Sequence, residues 1–221
     1  MLSVVVPTMW KFKPFLDFVA EMVKVPEIGE IIIINNDVTN TPYHKVFNNP
    51  KVHLLNQLSN IYVNPAWNLG VEVSQYDKIC IANDDVIVDL KLFSLIEKDL
   101  TEEIGLAGIS PGRPEFDQAP ITDGVINFTH WTGQNTFGFG SLFFIHKKNW
   151  IRIPDELVVF YGDNWIFDTQ IHIKQKPIFL IENCFFHSPW AQTTGSVVNE
   201  WLGNEGSVYP QLLRDAIQQR Q

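Results

Sequence analysis

The sequence predicts an α/β protein: a mostly parallel central sheet flanked by helices, followed by an irregular second half. Three observations carry that reading. Leu2 to Val6 is an apolar, largely β-branched run stopped by Pro7. Lys13 to Lys24 sets Phe15, Phe18, Val19, Met22 and Val23 at helical spacing, and Glu30 to Ile34 is a second apolar run. Strand, helix and strand within one short span make a βαβ unit, whose strands are parallel. Third, the apolar run Ile79 to Ala82 ends abruptly in Asn83-Asp84-Asp85, and another apolar run begins at once.

The remaining elements follow in order. Pro26 ends the first helix, and Asn35-Asn36-Asp37 closes the second strand. Lys51 to Asn56 reads as a third strand, and Pro65 to Ser74 as a helix with Ala66, Leu69, Gly70 and Val73 inward. A helix over Lys91 to Leu100 and a strand over Ile104 to Ile109 complete the first lobe. Ser110-Pro111-Gly112-Arg113-Pro114 is turn-rich, and no clear period is present from there to Thr136. Phe137 to Ile145 reads as an aromatic strand and Asn164 to Ile173 as a helix. Pro177 to Ile181 and Cys184 to His187 read as short strands, and the polar segment Glu200 to Gln221 as a terminal helix after Pro210. One domain covers 1–221: a half over about 1–110, a half over about 111–200, and a helical tail, 201–221.

A chain of 221 residues buries a substantial core as one domain. The net charge of −9 argues against a nucleic-acid backbone as partner, since phosphate neutralisation needs a basic face; a nucleotide held through a metal ion stays open. Cys80 and Cys184 form no disulfide framework and read as small buried hydrophobes. Met1 to Pro7 lacks a basic leader region, and no stretch approaches the length of a membrane span. The expectation is a reduced, cytoplasmic, soluble protein with no nucleic-acid partner.

Asn83-Asp84-Asp85 is the stretch with chemistry in it. Polar groups at the carboxyl end of a buried strand are where open α/β sheets hold ligands. Adjacent acids there repel unless a cation sits between them, and oxygen ligands suit Mg²⁺ or Mn²⁺. The other reading is a solvated turn. In strand geometry Asn83 and Asp85 share a face and Asp84 points away, which favours Asp85 as metal ligand. Thr8 and Asp37 close the first two strands, where such a crevice opens.

With the elements in this order, the chain resembles family 2 glycosyltransferases of the GT-A (Rossmann-like) fold. Val4-Val5-Val6-Pro7-Thr8 is similar to their opening strand, and Glu30 to Asp37 to their second strand with its terminal acids. Asn68-Leu69-Gly70 with Tyr76-Asp77-Lys78-Ile79 resembles their Asn-x-Gly helix and the strand after it. Asn83-Asp84-Asp85 falls where they carry Asp-x-Asp. Phe160-Tyr161-Gly162-Asp163 stands where a Glu-Asp pair precedes a helix, and His187 with Thr194-Gly195-Ser196 resembles their late His…Gly-Ser segment. The chain departs at Asn83, in place of the first acid, and at Gly162, in place of Glu.

The resemblance implies transfer of a sugar from a nucleotide diphosphate sugar, UDP-linked by preference, to a glycan or other hydroxyl acceptor, with a divalent metal and inversion. Pro7, Thr8, Asp37, Asn68, Asn83, Asp84 and Asp85 would line the donor, with Asp37 accepting from the uracil N3–H. Asp85 and His187 would hold the metal, although a lone His after an aromatic strand is as readily a packed side chain. Asp163 would be the base, with Asp168 one turn later as substitute; its other reading is a helix N-cap. His130, Trp131, Trp165 and Trp190 are candidates for acceptor contact, and Arg113 and Lys147 for the diphosphate.

Two other enzyme classes fit less well. A nucleotidyltransferase needs a Gly-rich phosphate loop after the first strand, where Pro7-Thr8-Met9-Trp10-Lys11-Phe12 stands, and a nicotinamide dehydrogenase needs G-x-G-x-x-G there. A catalytically inactive nucleotide-sugar- or carbohydrate-binding module of the same fold is the alternative that Asn83 and Gly162 raise.

Overall fold

The structure, a computed structural model, describes residues 1–109, 125–133, 139–182, 184–188 and 198–219. Its centre is an eight-stranded sheet in the order β3-β2-β1-β4-β8-β6-β9-β7. The strands are β1 (Leu2–Thr8), β2 (Ile28–Asn35), β3 (Val52–Asn56), β4 (Lys78–Ala82), β6 (Leu106–Ile109), β7 (Asn127–His130), β8 (Leu142–His146) and β9 (Ile178–Glu182). Pairs within β1–β4 and between β6 and β9 are parallel; β8 runs antiparallel between β4 and β6, and β7 antiparallel at the edge. Short strands β5 (Ile87–Val88) and β10 (Phe186–His187) form a separate antiparallel ribbon.

Alternation along the strands fills both faces. Val4 and Val6 of β1 join the core beneath α1 (Phe15–Met22) and α3 (Lys91–Asp99). Val5 faces the opposite core, with α2 (Val63–Val73), α4 (Gly162–Thr169) and α5 (Val198–Gln218). Strands sandwiched this way read as continuous apolar runs, which is why β1, β2 and β4 were evident. Both cysteines are free and buried; burial raises both thiols, that of Cys184 to about 12.

Several elements differ from expectation. β1 continues through Pro7: the last pair with β4 is Val5–Ile81, so one side of the strand is already open there and a missing N–H is tolerated. The inward face of α2 is set by Ala66, Trp67, Gly70 and Val71, while Val73 is exposed and Leu69 only partly buried. Asn127–His130 is a strand; its exposed, half-buried, half-buried, exposed pattern is that of an edge, with no apolar period. α4 ends in a π-helical turn, Gln170–Lys174. Pro210 lies inside α5, which packs Tyr209, Leu212, Leu213 and Ala216 against the second core and continues through it. Among the described residues no helix is long and apolar enough to cross a membrane.

Candidate active site

The carboxyl ends of β1, β2 and β4 lie side by side along one edge of the sheet, the edge where the crevice is expected. β4 ends at Ala82, and Asp84 and Asp85 form a turn, with Val86 N–H donating to Asn83 O at 3.4 Å. The strand parity expected for Asn83 and Asp85 therefore does not apply. Both acids are buried, each 6% exposed, and Asn83 is partly exposed. Asp84, expected to point away, faces β1: Thr8 Oγ1 donates to Asp84 Oδ2 at 2.6 Å.

Burial pushes the Asp84 carboxyl up to about 6; Asp85 pushes in the same direction, against hydrogen bonds from Thr8 and the Met9 N–H. An acid whose pKa is raised in the folded state stabilises the fold below its unfolded pKa, near 4, and that contribution is lost as pH rises through about 6. Without metal, stability should fall by on the order of 3 kcal/mol between pH 4 and 7 from this group. Asp84→Asn should flatten that slope in urea unfolding; an unchanged slope would exclude Asp84 as its source.

Asn35, which the sequence suggests only as a turn residue, organises the rim. It is fully buried; its Oδ1 accepts from Trp10 Nε1 (2.8 Å) and Asp37 N–H (3.0 Å), and its Nδ2 donates to Thr41 Oγ1 and Asn56 Oδ1 (both 2.7 Å). Asp37 is at this rim, and its carboxylate accepts from Thr39 Oγ1 and Asn40 Nδ2, which hold it below the usual range. Pro7 is buried within β1 and brings Thr8 to the strand end. Strain marks the same region. Trp10 (φ 60°), Tyr62 (φ 66°) and Tyr161 (φ 56°) are aromatic residues in the left-handed region. Such residues cost about 1–3 kcal/mol each and cluster at functional sites.

Asp163 is brought to the same edge by two adjacent residues. Ser141 O accepts the Asn83 N–H at 2.9 Å, and Gly140 lies against Asp163: a Cβ on Gly140 would stand 2.7 Å from Asp163 Oδ2. The N-cap of α4 is Tyr161, so Asp163 lies in the first turn and is not the cap. Asp163 keeps part of its surface exposed, yet the protein atoms packed around its carboxyl desolvate it enough to raise its pKa despite N–H groups from Asn164, Asp163 itself and Gly140. Desolvation therefore prevails over the helix terminus, as a base requires. Gly162 has a packing reason of its own, because a Cβ there would lie 2.0 Å from Asn64 Oδ1. The missing Glu has no room. Gly162→Ala should cost about 1–3 kcal/mol by overpacking, read as a lowered urea midpoint; an unchanged midpoint would contradict that contact.

His187 also arrives here. β10 pairs with β5 so that His187 is opposite Ile87, two residues past Asp85, and its side chain is exposed. Among the described residues no group of three or more His, Cys, Asp and Glu forms a ready metal cage.

Other expected residues lie elsewhere. Asn68 is buried with both ends of its amide on residue 153: Nδ2 donates to Ile153 O (2.9 Å) and Oδ1 accepts Ile153 N–H (3.0 Å). It fastens α2 to the second lobe. Trp165 is a core residue, 4% exposed, donating to Ile151 O. His130 pairs with Phe179 near the start of β9, and Trp131 N–H donates to Ile178 O, so both sit at the sheet edge opposite the crevice. Lys147 is at that edge too, bonded to the Glu72 and Ser74 carbonyls. Asp168 accepts from Tyr209 Oη at 2.6 Å. Arg113, Trp190 and Thr194-Gly195-Ser196 fall outside the described residues.

No protein-family model matches the sequence, and no curated protein matches it either. The fold, in contrast, is shared with solved GT-A glycosyltransferases. GalNAc-T7, crystallised with UDP, GalNAc and Mn²⁺, superposes with a TM-score of 0.61 at 13% identity, over 98% of this chain and 50% of that one. S. aureus TarS 1–349 in complex with UDP gives 0.54 at 12% identity, over 82% of this chain and 58% of that one. This chain thus spans about half the length of each of these structures. The class defined is the GT-A fold: a mixed α/β domain with a large, mostly parallel central sheet between helices.

Proposed function

We propose that the chain is a glycosyltransferase of the family 2 type, moving a sugar from a nucleotide diphosphate sugar, UDP-linked by preference, to a hydroxyl acceptor with inversion. What carries the reading is one convergence. The Asn83-Asp84-Asp85 turn, Asp163 against Gly140 and His187 opposite Ile87 all gather at the carboxyl edge of a GT-A sheet. GT-A neighbours crystallised with UDP, and in one case with Mn²⁺, favour the same donor and ion.

The donor set fits a divalent cation. Two adjacent buried carboxylates, one with its pKa raised, are relieved by positive charge. Ions of the Mg²⁺ type commonly take one or two protein carboxylates and complete their shell with substrate phosphates and water. Asp85 would be the first ligand, with His187 as the second. Bound there, the ion would supply Lewis-acid stabilisation to the departing diphosphate. Asp84 and Thr8, locked together, hold the turn against β1, while Asn83 presents an amide to the ribose and Asp37 a carboxylate to the base.

Asp163 takes the proton from the acceptor hydroxyl. That oxygen bonds to the anomeric carbon as the bond from this carbon to the diphosphate oxygen breaks, and the electron pair leaves with the nucleoside diphosphate. One displacement from the face opposite the leaving group inverts the centre. The test is a panel of UDP-sugars assayed for Mn²⁺-dependent UDP release, with and without hydroxyl acceptors. Saturable UDP-sugar binding with no release under any condition would instead identify a binding module.

A further inference from the structure

The loop leading to Asp163 is gripped from both sides. From α2, buried Asn64 donates Nδ2 to the carbonyls of Leu157 (3.1 Å) and Phe160 (2.8 Å), and its main-chain N–H donates to Val158 O (3.1 Å). From α5, Glu205 reaches in with a carboxylate whose residue is only 3% exposed. Oε1 accepts the Val159 N–H (2.9 Å) and Oε2 the Phe160 N–H (2.7 Å). A glutamate this deep is rare unless its charge is met. Here two consecutive main-chain N–H groups meet it.

The contacts continue along the helix. Tyr161, left-handed and next in the chain, stacks its ring on Tyr209 of α5, with centroids 5.1 Å apart and planes 26° apart. Its hydroxyl lies over Gly206, where a Cβ would come within 2.6 Å. Tyr209 in turn bonds Asp168, one turn beyond Asp163 on α4. One turn further towards its start, α5 sets Trp201 on Tyr62, the residue before α2, whose carbonyl accepts from Asn36 at the crevice rim. The helix therefore touches the chain immediately before Asp163, the helix face after it, and the donor rim.

We infer that Glu205 is a positioning residue for the proposed transfer: its carboxylate fixes the 159–161 turn so that Asp163 is presented beside Gly140, and α5 is the strap that holds that turn. The inference rests on Asp163 being the base. Reacting groups displaced by about 1 Å lose about 10²-fold in rate. An amide in place of the carboxylate accepts one of the two N–H groups and turns a donor toward the other.

The experiment uses the full chain, Mn²⁺ and whichever UDP-sugar of the panel turns over. Glu205→Gln should lower kcat by about 10–10²-fold, with the donor KM and the UDP Kd within about twofold of wild type. Combined with Asp163→Asn, it should slow the enzyme no further than Asp163→Asn alone, since both act on one step. A wild-type kcat for Glu205→Gln, parallel loss of rate and UDP affinity, or additivity with Asp163→Asn overturns the assignment. If Glu205→Gln does not fold, Tyr209→Phe keeps the ring stack and removes only the bond to Asp168. A reduced kcat at unchanged donor KM then supports the strap, and a wild-type kcat overturns it. Failure of the underlying reading looks different: Asp163→Asn itself then transfers at the wild-type rate, and the inference falls with it.

Discussion

If the proposed function holds, an Asp85→Ala protein should bind UDP no better with Mn²⁺ than without it. The expectation follows from the turn, in which Asp85 is buried beside a second acid and lies two residues before the point where His187 pairs into the β5–β10 ribbon. Removing one partner of a buried charge pair costs about 3–5 kcal/mol, which is about 10²–10⁴-fold in affinity. Isothermal titration of UDP with and without Mn²⁺ reads this directly, with circular dichroism to establish that the variant is folded. Mn²⁺-dependent binding that survives in Asp85→Ala would remove the residue as ligand and leave the turn without a metal role.

Asp163→Asn should leave UDP binding within about twofold and lower kcat by about 10²–10⁴-fold, the usual contribution of a positioned base. The wild-type pH profile supplies a second check. The base form is the ionised one, so rate rises with pH through the Asp163 pKa. Burial raises that pKa, so the acid limb of kcat/KM should lie above the ordinary Asp range of about 4. A limb at or below that value, or transfer by Asp163→Asn at the wild-type rate, would reassign the base.

What the sequence made legible was whatever depends on local pattern. β1, β2, β4 and β9 are apolar runs bounded by polar residues, and each begins and ends within two residues of its expected ends. The carboxylate turn was legible as a place but not as a shape. Parity along a strand says where Asp84 points only while the strand lasts, and β4 stops at Ala82. His130, a candidate for acceptor contact, and Lys147, a candidate for the diphosphate, lie away from the crevice for a topological reason. Whether His130 and Lys147 end up at the crevice or opposite it depends on β7 and β8 running antiparallel, and no periodicity encodes direction. Asn35 and Glu205 stay hidden because a polar residue whose partners are side chains from other segments, as for Asn35, or distant main-chain N–H groups, as for Glu205, looks in sequence like one that faces water. Gly162 is the reverse case: it stood out as a departure, and its cause is a packing contact with Asn64 from a helix nearly a hundred residues earlier.

The late ribbon has a consequence for how the protein is made. Phe186 and His187 pair with Val88 and Ile87, partners separated by roughly a hundred residues of chain, and β8 enters the sheet between β4 and β6. During synthesis the first four strands emerge with one edge of β4 open, and that edge is covered only when residues 142–146 leave the ribosome. Exposed edges and distant pairings slow folding and invite aggregation. The nascent first half is thus expected to be the part most prone to aggregate, and a truncation ending near residue 109 should be insoluble although it contains the whole βαβ unit. Pelleting of that fragment against the full chain tests this; a soluble, monomeric 1–109 fragment would refute it.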